Sequence, residues 1–129
     1  MKHEIESFLD ALQTAFGPVG TLKITQTILD KGNPDANKTI VQFAQLFGVD
    51  FAALEKGGLN GVKIKGRFQE TQKPTTLNFY RTKTRGDYRL SISGLKHHAK
   101  AGDIIAMRRC AITGALIINA TKETGGDNG

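Results

Sequence analysis

Apolar residues recur at helical spacing at the start of the chain, where Ile5, Phe8, Leu9, Leu12 and Phe16 share one face, and Gly17-Pro18 supplies a stop. This predicts an amphipathic N-terminal helix over 1–17. After Gly20 the period changes to two: Leu22, Ile24, Gln26 and Ile28 alternate with Lys23, Thr25, Thr27 and Leu29, which predicts a strand before the turn Lys31-Gly32-Asn33-Pro34-Asp35. The stretch from Thr39 to Phe47 fits either period, and it is read as a short strand running into a helical turn. Asp50 is placed to cap a brief helix from Phe51 to Lys56, which Gly57-Gly58 ends.

From Gly61 onward the alternation is clear. Val62, Ile64 and Phe68 fall on one face of a strand, with Lys63, Lys65 and Arg67 on the other. Gln72-Lys73-Pro74 turns the chain, Leu77 and Phe79 point inward on the next strand, and Tyr88, Leu90 and Ile92 do so on a third. Ser93 is expected to cap a short helix containing Leu95 and Ala99. Ile104–Met107 and Ala115–Ile118 then form a hairpin around Thr113-Gly114. Several short strands, two or three short helices and no strand–helix–strand alternation predict a mainly β fold with short helices, an open, mostly antiparallel β-barrel. One domain is expected over 1–123, with TGGDNG (124–129) as a flexible tail.

Composition narrows the class. At 129 residues, with 39% hydrophobic and 23% charged, the chain can bury one core without metal or disulfide staples. A lone cysteine, Cys110, excludes an internal disulfide and is read as a partly buried strand thiol in a reducing, cytoplasmic setting. The first residues are too acidic for a targeting peptide, and no apolar run approaches the roughly 20 residues of a membrane span.

Charge is segregated. Between Gly61 and Arg109 twelve Lys and Arg face three acids, a local charge of +9 against +6 for the whole chain, so the remainder is net acidic. The densest part is RTKTRGDYR, Arg81 to Arg89, with four cations around one glycine. Such a surplus suits a phosphate backbone, whose condensed counterions are released on binding. Double-stranded DNA is therefore the expected partner.

The segments VKIKGRF (Val62 to Phe68) and LNFYRTKTRGDYRLSISGLKHHAKAGDIIAM (Leu77 to Met107) resemble the DNA-binding pseudobarrel family. That family comprises the plant B-three-type transcription-factor domains and the EcoRII-like effector domains of restriction endonucleases. The shared order is a strand pair with a basic loop, a short helix, a Gly-Asp turn and a hydrophobic strand; the tryptophan typical of the plant domains has no counterpart here. The resemblance implies two arms gripping the major groove. The C-terminal arm would be Arg81 to Arg89, and the N-terminal arm Thr25 to Lys38.

Residue chemistry suggests roles within these arms. Arg81, Arg85 and Arg89 can each offer a planar fork to guanine, whereas Thr82, Lys83 and Thr84 suit phosphate oxygens. Where the run stays extended, Arg81, Lys83 and Arg85 would share one face. Asp87 is expected to orient an arginine or accept from cytosine. In the other arm Gln26, Lys31, Asn33, Asn37 and Lys38 include amides able to pair with adenine. Lys63, Lys65 and Arg67 form a stripe that is either a solvated outer face or a set of phosphate contacts. His97 and His98 are adjacent rather than four apart and do not make a helical zinc pair. No phosphate loop, nucleophile elbow or acid–acid–lysine nuclease triad is present, so neither an enzymatic activity nor a cofactor or small-molecule substrate is expected. The alternatives are a single-stranded nucleic-acid or RNA-binding β-barrel, a recognition subunit of a nuclease, and a basic face for an acidic protein.

Overall fold

The computed structural model describes residues 17–57 and 61–122 of the chain. The predicted N-terminal helix and tail lie outside these residues, apart from Gly17 at the helix's end. What is described is mainly β, with two short helices and a six-stranded sheet curled into an open half-barrel.

The strands are β1 (Gly20–Lys23), β2 (Val62–Phe68), β3 (Pro74–Arg81), β4 (Tyr88–Ile92), β5 (Asp103–Arg109) and β6 (Leu116–Lys122), in the order β1-β5-β6-β2-β3-β4. Four neighbouring pairs are antiparallel, and β2 with β6 is parallel. The antiparallel expectation is corrected at that one pair: the β5–β6 hairpin returns beside β2 instead of extending the meander.

Alternation sets which side is dry. Phe68, Leu77, Phe79, Leu90, Ile105, Met107, Leu116 and Ile118 face inward and are buried, joined by Ile40, Phe43 and Phe51 from the segments that cover the concave side. Phe51 meets Phe79 edge-on at 5.7 Å and stacks on Tyr88 at 5.0 Å. Burial of such side chains is worth roughly 1.5–3 kcal/mol each.

Three local expectations are overturned, each by capping chemistry. The strand predicted through Leu29 stops at Lys23, and residues Gln26–Lys31 form helix α1. The Thr25 side chain accepts from the Ile28 amide, and Gly32 closes the helix with φ +77°. Thr39–Phe43 is not a strand but part of helix α2 (Lys38–Gln45). Asn37 caps it by accepting from the Ile40 amide, and Ile40, Phe43 and Ala44 make its buried stripe. Ser93 caps nothing: Gly94, at φ +74°, starts a 3-10 turn over Leu95–His97. The Asp50 cap is present, but it starts a 3-10 helix that covers only Phe51–Ala53.

The sheet leaves two free edges, β1 and β4, and one connector ties both. Pro34 O accepts from Leu90 N, and Ala36 N donates to Tyr88 O, which adds residues 34–36 to the edge of β4. Immediately after it, Asn37 Nδ2 donates to Thr21 O, and the Thr39 hydroxyl accepts from Thr21 N, which fixes the same connector to β1. The seam satisfies edge groups that would otherwise offer themselves to another chain.

Candidate nucleic-acid interface

The loop between β3 and β4 is hydrogen-bonded across its own neck. Thr82 N donates to Asp87 O, Gly86 N to Thr82 O, and Asp87 N to the Thr82 hydroxyl. Gly86 has φ +74°, a backbone conformation that favours glycine, and a Cβ there would fall 2.7 Å from an Arg81 nitrogen and push that side chain aside. This neck lifts Lys83, Thr84 and Arg85 into solvent as an exposed tip.

The three arginines of the run take three directions, and the shared face expected of Arg81, Lys83 and Arg85 does not form, because the chain turns at 83–85. Arg81 continues the inward series Thr75, Leu77, Phe79. Its Nε donates to Gly86 O at 3.0 Å, its Nη1 to Leu54 O at 3.2 Å, and its guanidinium lies over the Tyr88 ring at 5.6 Å. Arg85 stands at the tip. Arg89 points outward from β4, with its Nε 2.9 Å from Asp35 Oδ1 and an Nη 3.8 Å from Asp87 Oδ2. The Asp35 contact is an ion pair whose angle falls outside hydrogen-bonding geometry. Asp87 thus flanks Arg89 at the ribbon's base.

The expected N-terminal arm is divided. Its upper part, Asp35 and Ala36, borders Arg85 and Asp87 in one shallow depression. Lys31, Asn33 and Asn37 share a cleft of about 430 Å³ with Arg89, so these parts of both arms do meet. Yet Asn37 spends its amide on Thr21 and its carbonyl on the helix cap, which removes it as an adenine reader. Gln26 donates to Asp30 on the exposed side of α1, and Lys31 also lies beside Ile92 and Leu95 at the far end of β4. Lys38 is exposed at the first turn of α2.

Lys63, Lys65 and Arg67 project from the convex face of β2, as their alternation predicts; the two lysines are exposed and Arg67 is half-buried. Asp35 was missed by sequence reasoning, because no local pattern reveals a counterion 54 positions from its arginine.

His98 stacks on Phe68 at 3.8 Å, with its ring nitrogens against the Thr71 hydroxyl and Gly94 O. Cys110 sits where β5 runs into its hairpin loop. Its thiol pKa is held below the ordinary value, chiefly by a hydrogen bond from the Thr113 side chain, with the Thr113 and Ile112 amides and Arg67 adding to the effect against burial. Among the described residues no group of three His, Cys, Asp or Glu is placed to hold a metal ion, and no helix is long and apolar enough to cross a membrane. Comparison with protein-family models, with curated proteins and with solved structures finds no match.

Proposed function

We propose that this chain is a non-enzymatic double-stranded DNA-binding domain that places the tip Lys83-Thr84-Arg85 in a groove. The observation that carries the reading is the braced loop: a short, hydrogen-bonded neck holds one fork, one ammonium and one hydroxyl clear of the body on a backbone whose conformation is already set. Arg85 is the fork available for guanine, and Lys83 and Thr84 reach phosphates on either side. Arg89, held between Asp35 and Asp87, sets the ribbon's base while its charge is offset by the two carboxylates. Lys31 and Asn33, at the cleft beside Arg89, extend the contact along the backbone. The resemblance to the pseudobarrel family adds support from the sequence side, in the Val62 to Phe68 and Leu77 to Met107 segments.

The test is a salt titration of duplex binding. Five to eight neutralised phosphates give a log–log slope of roughly −4 to −7. A flat dependence on salt rejects the reading.

A further inference from the structure

The convex face of β2, β3 and β4 carries a second cationic surface, separate from the tip. Directly opposed residues of neighbouring strands share a face. Arg89 opposes Tyr80, and Lys63 opposes Asn78, which opposes Ser91; Lys65 and Arg67 follow at alternate positions of β2. All lie on the side away from buried Leu77, Phe79 and Leu90. The outward positions of these three strands hold four cations and no acid of their own; Arg89 is paired with Asp35 on the adjoining connector, which leaves Lys63, Lys65 and Arg67 as the cations of this face.

An aromatic ring stands among these charges. Tyr80 is half-buried on the outward face, whereas Tyr88, the other tyrosine, is committed to stacking on Phe51. Across the ladder from Tyr80 lies Gly61, where a Cβ would come within 2.9 Å of the Tyr80 Cβ. The missing side chain lets the Asn78 amide oxygen and the base of the Tyr80 side chain lie close against the Gly61 backbone, and Lys63 follows on the same face two residues further along. Lys63 and Lys65 are about 6.6 Å apart along the strand, so the ring and the two ammonium groups make a short track.

We propose that this face binds a single-stranded polynucleotide, with Tyr80 stacking one base and Lys63, Lys65 and Arg67 contacting phosphates. A duplex fits it poorly. Its stiffness lets it touch a convex surface only along a short line, and its bases are already stacked inside. A single strand follows the curvature and offers unpaired base faces, to which an aromatic ring binds with little regard for sequence. The site does not depend on the duplex reading, because it uses neither Lys83 nor Arg85.

The experiment is fluorescence anisotropy on the full chain with labelled oligo-dT and oligo-U of about 12 nucleotides, within the footprint of such platforms, and with a mixed-sequence duplex. Lys63→Glu with Lys65→Glu is expected to weaken binding of at least one single strand by about tenfold or more, and Tyr80→Leu by roughly fivefold to tenfold, with Tyr80→Phe retaining it. Arg85→Ala leaves single-strand binding unchanged and lowers duplex affinity. Failure of both strands to bind saturably overturns the proposal, as does single-strand affinity indifferent to Tyr80→Leu. Loss of duplex and single-strand binding in equal measure in the double Glu variant also overturns it, since the face would then be part of one general surface. A duplex that does not bind, while a single strand binds with the stated pattern, sinks the tip reading and leaves this one standing.

Discussion

The base and the tip of the β3–β4 ribbon are built from the same residue types and use them in opposite ways. At the base, Arg81 gives two N–H donors to the backbone carbonyls of Gly86 and Leu54 and lays its plane over Tyr88, while Arg89 is set between two carboxylates. At the tip, Lys83 and Arg85 are exposed, and no carboxylate of the described residues forms a salt bridge with either. The difference teaches that a count of cations in a run overstates the charge on offer. Strand parity puts Arg81 into the scaffold, two carboxylates hold the outward-pointing Arg89, and the turn at 83–85 leaves Arg85 exposed.

The sharpest way to break this comparison is Arg81→Ala. Two charge-assisted hydrogen bonds and a cation–π contact are lost, and two carbonyls at a half-buried rim lose their donor. The expected cost is about 2–4 kcal/mol of folding stability, read as a lower midpoint in urea denaturation with an unchanged slope. A variant as stable as the parent would show that Arg81 is not architectural. Arg85→Ala should do the reverse, costing about 1–3 kcal/mol of duplex affinity if the fork reads a base, with the denaturation midpoint unmoved. If Arg85→Ala binds duplex as the parent does, the tip is not the contact.

Gly86→Ala sits between the two. A methyl group must accept φ +74° and meet an Arg81 nitrogen at 2.7 Å and Lys56 Cε at 3.0 Å. A stability loss of about 1–2 kcal/mol is expected. Because the neck hydrogen bonds orient the tip, duplex affinity should fall as well, even where the protein is fully folded. Thermal denaturation and duplex titration on the same sample check both parts, and unchanged affinity in folded protein would mean that the tip binds without needing its brace.

The ribbon was the most legible part of the sequence, and the reason is physical. In β2, β3 and β4 one face is dry and the other wet, so period-two alternation is enforced along the strands between Val62 and Ile92. The same parity already placed Arg81 on the inward side, after Thr75, Leu77 and Phe79; reading the run as a charge cluster obscured that signal. Between Gly20 and Gln45 the alternation misleads, because Leu22 and Ile24 face the core from β1 and its continuation, whereas Ile28 and Leu29 pack against it from a helix. There the deciding residues were Thr25, Asn37 and Gly32, whose capping roles outweigh the apolar period. The seam that joins β4 to β1 through residues 34–39 could not be read at all, since it rests on contacts between distant segments. It turned Asn37 from a candidate base reader into a fastener.

The finest discrimination between base and tip comes from Asp35→Asn. Asp35 is 78% exposed, and its pair with the 33% exposed Arg89 is a surface contact, so stability should change by no more than about 0.5 kcal/mol. The substitution nevertheless removes a negative charge from the depression that Asp35 shares with Arg85, and leaves Asp87 as the remaining carboxylate beside Arg89. Duplex affinity should therefore rise by about twofold to threefold at low salt, an advantage that shrinks as ionic strength increases and screening shortens the reach of the missing charge. Salt titrations of the variant and its parent side by side provide the check. A fall in affinity would reverse the assignment: it would mean that Arg89 must be held by Asp35 for binding, and that the base of the ribbon, not only its tip, touches the partner.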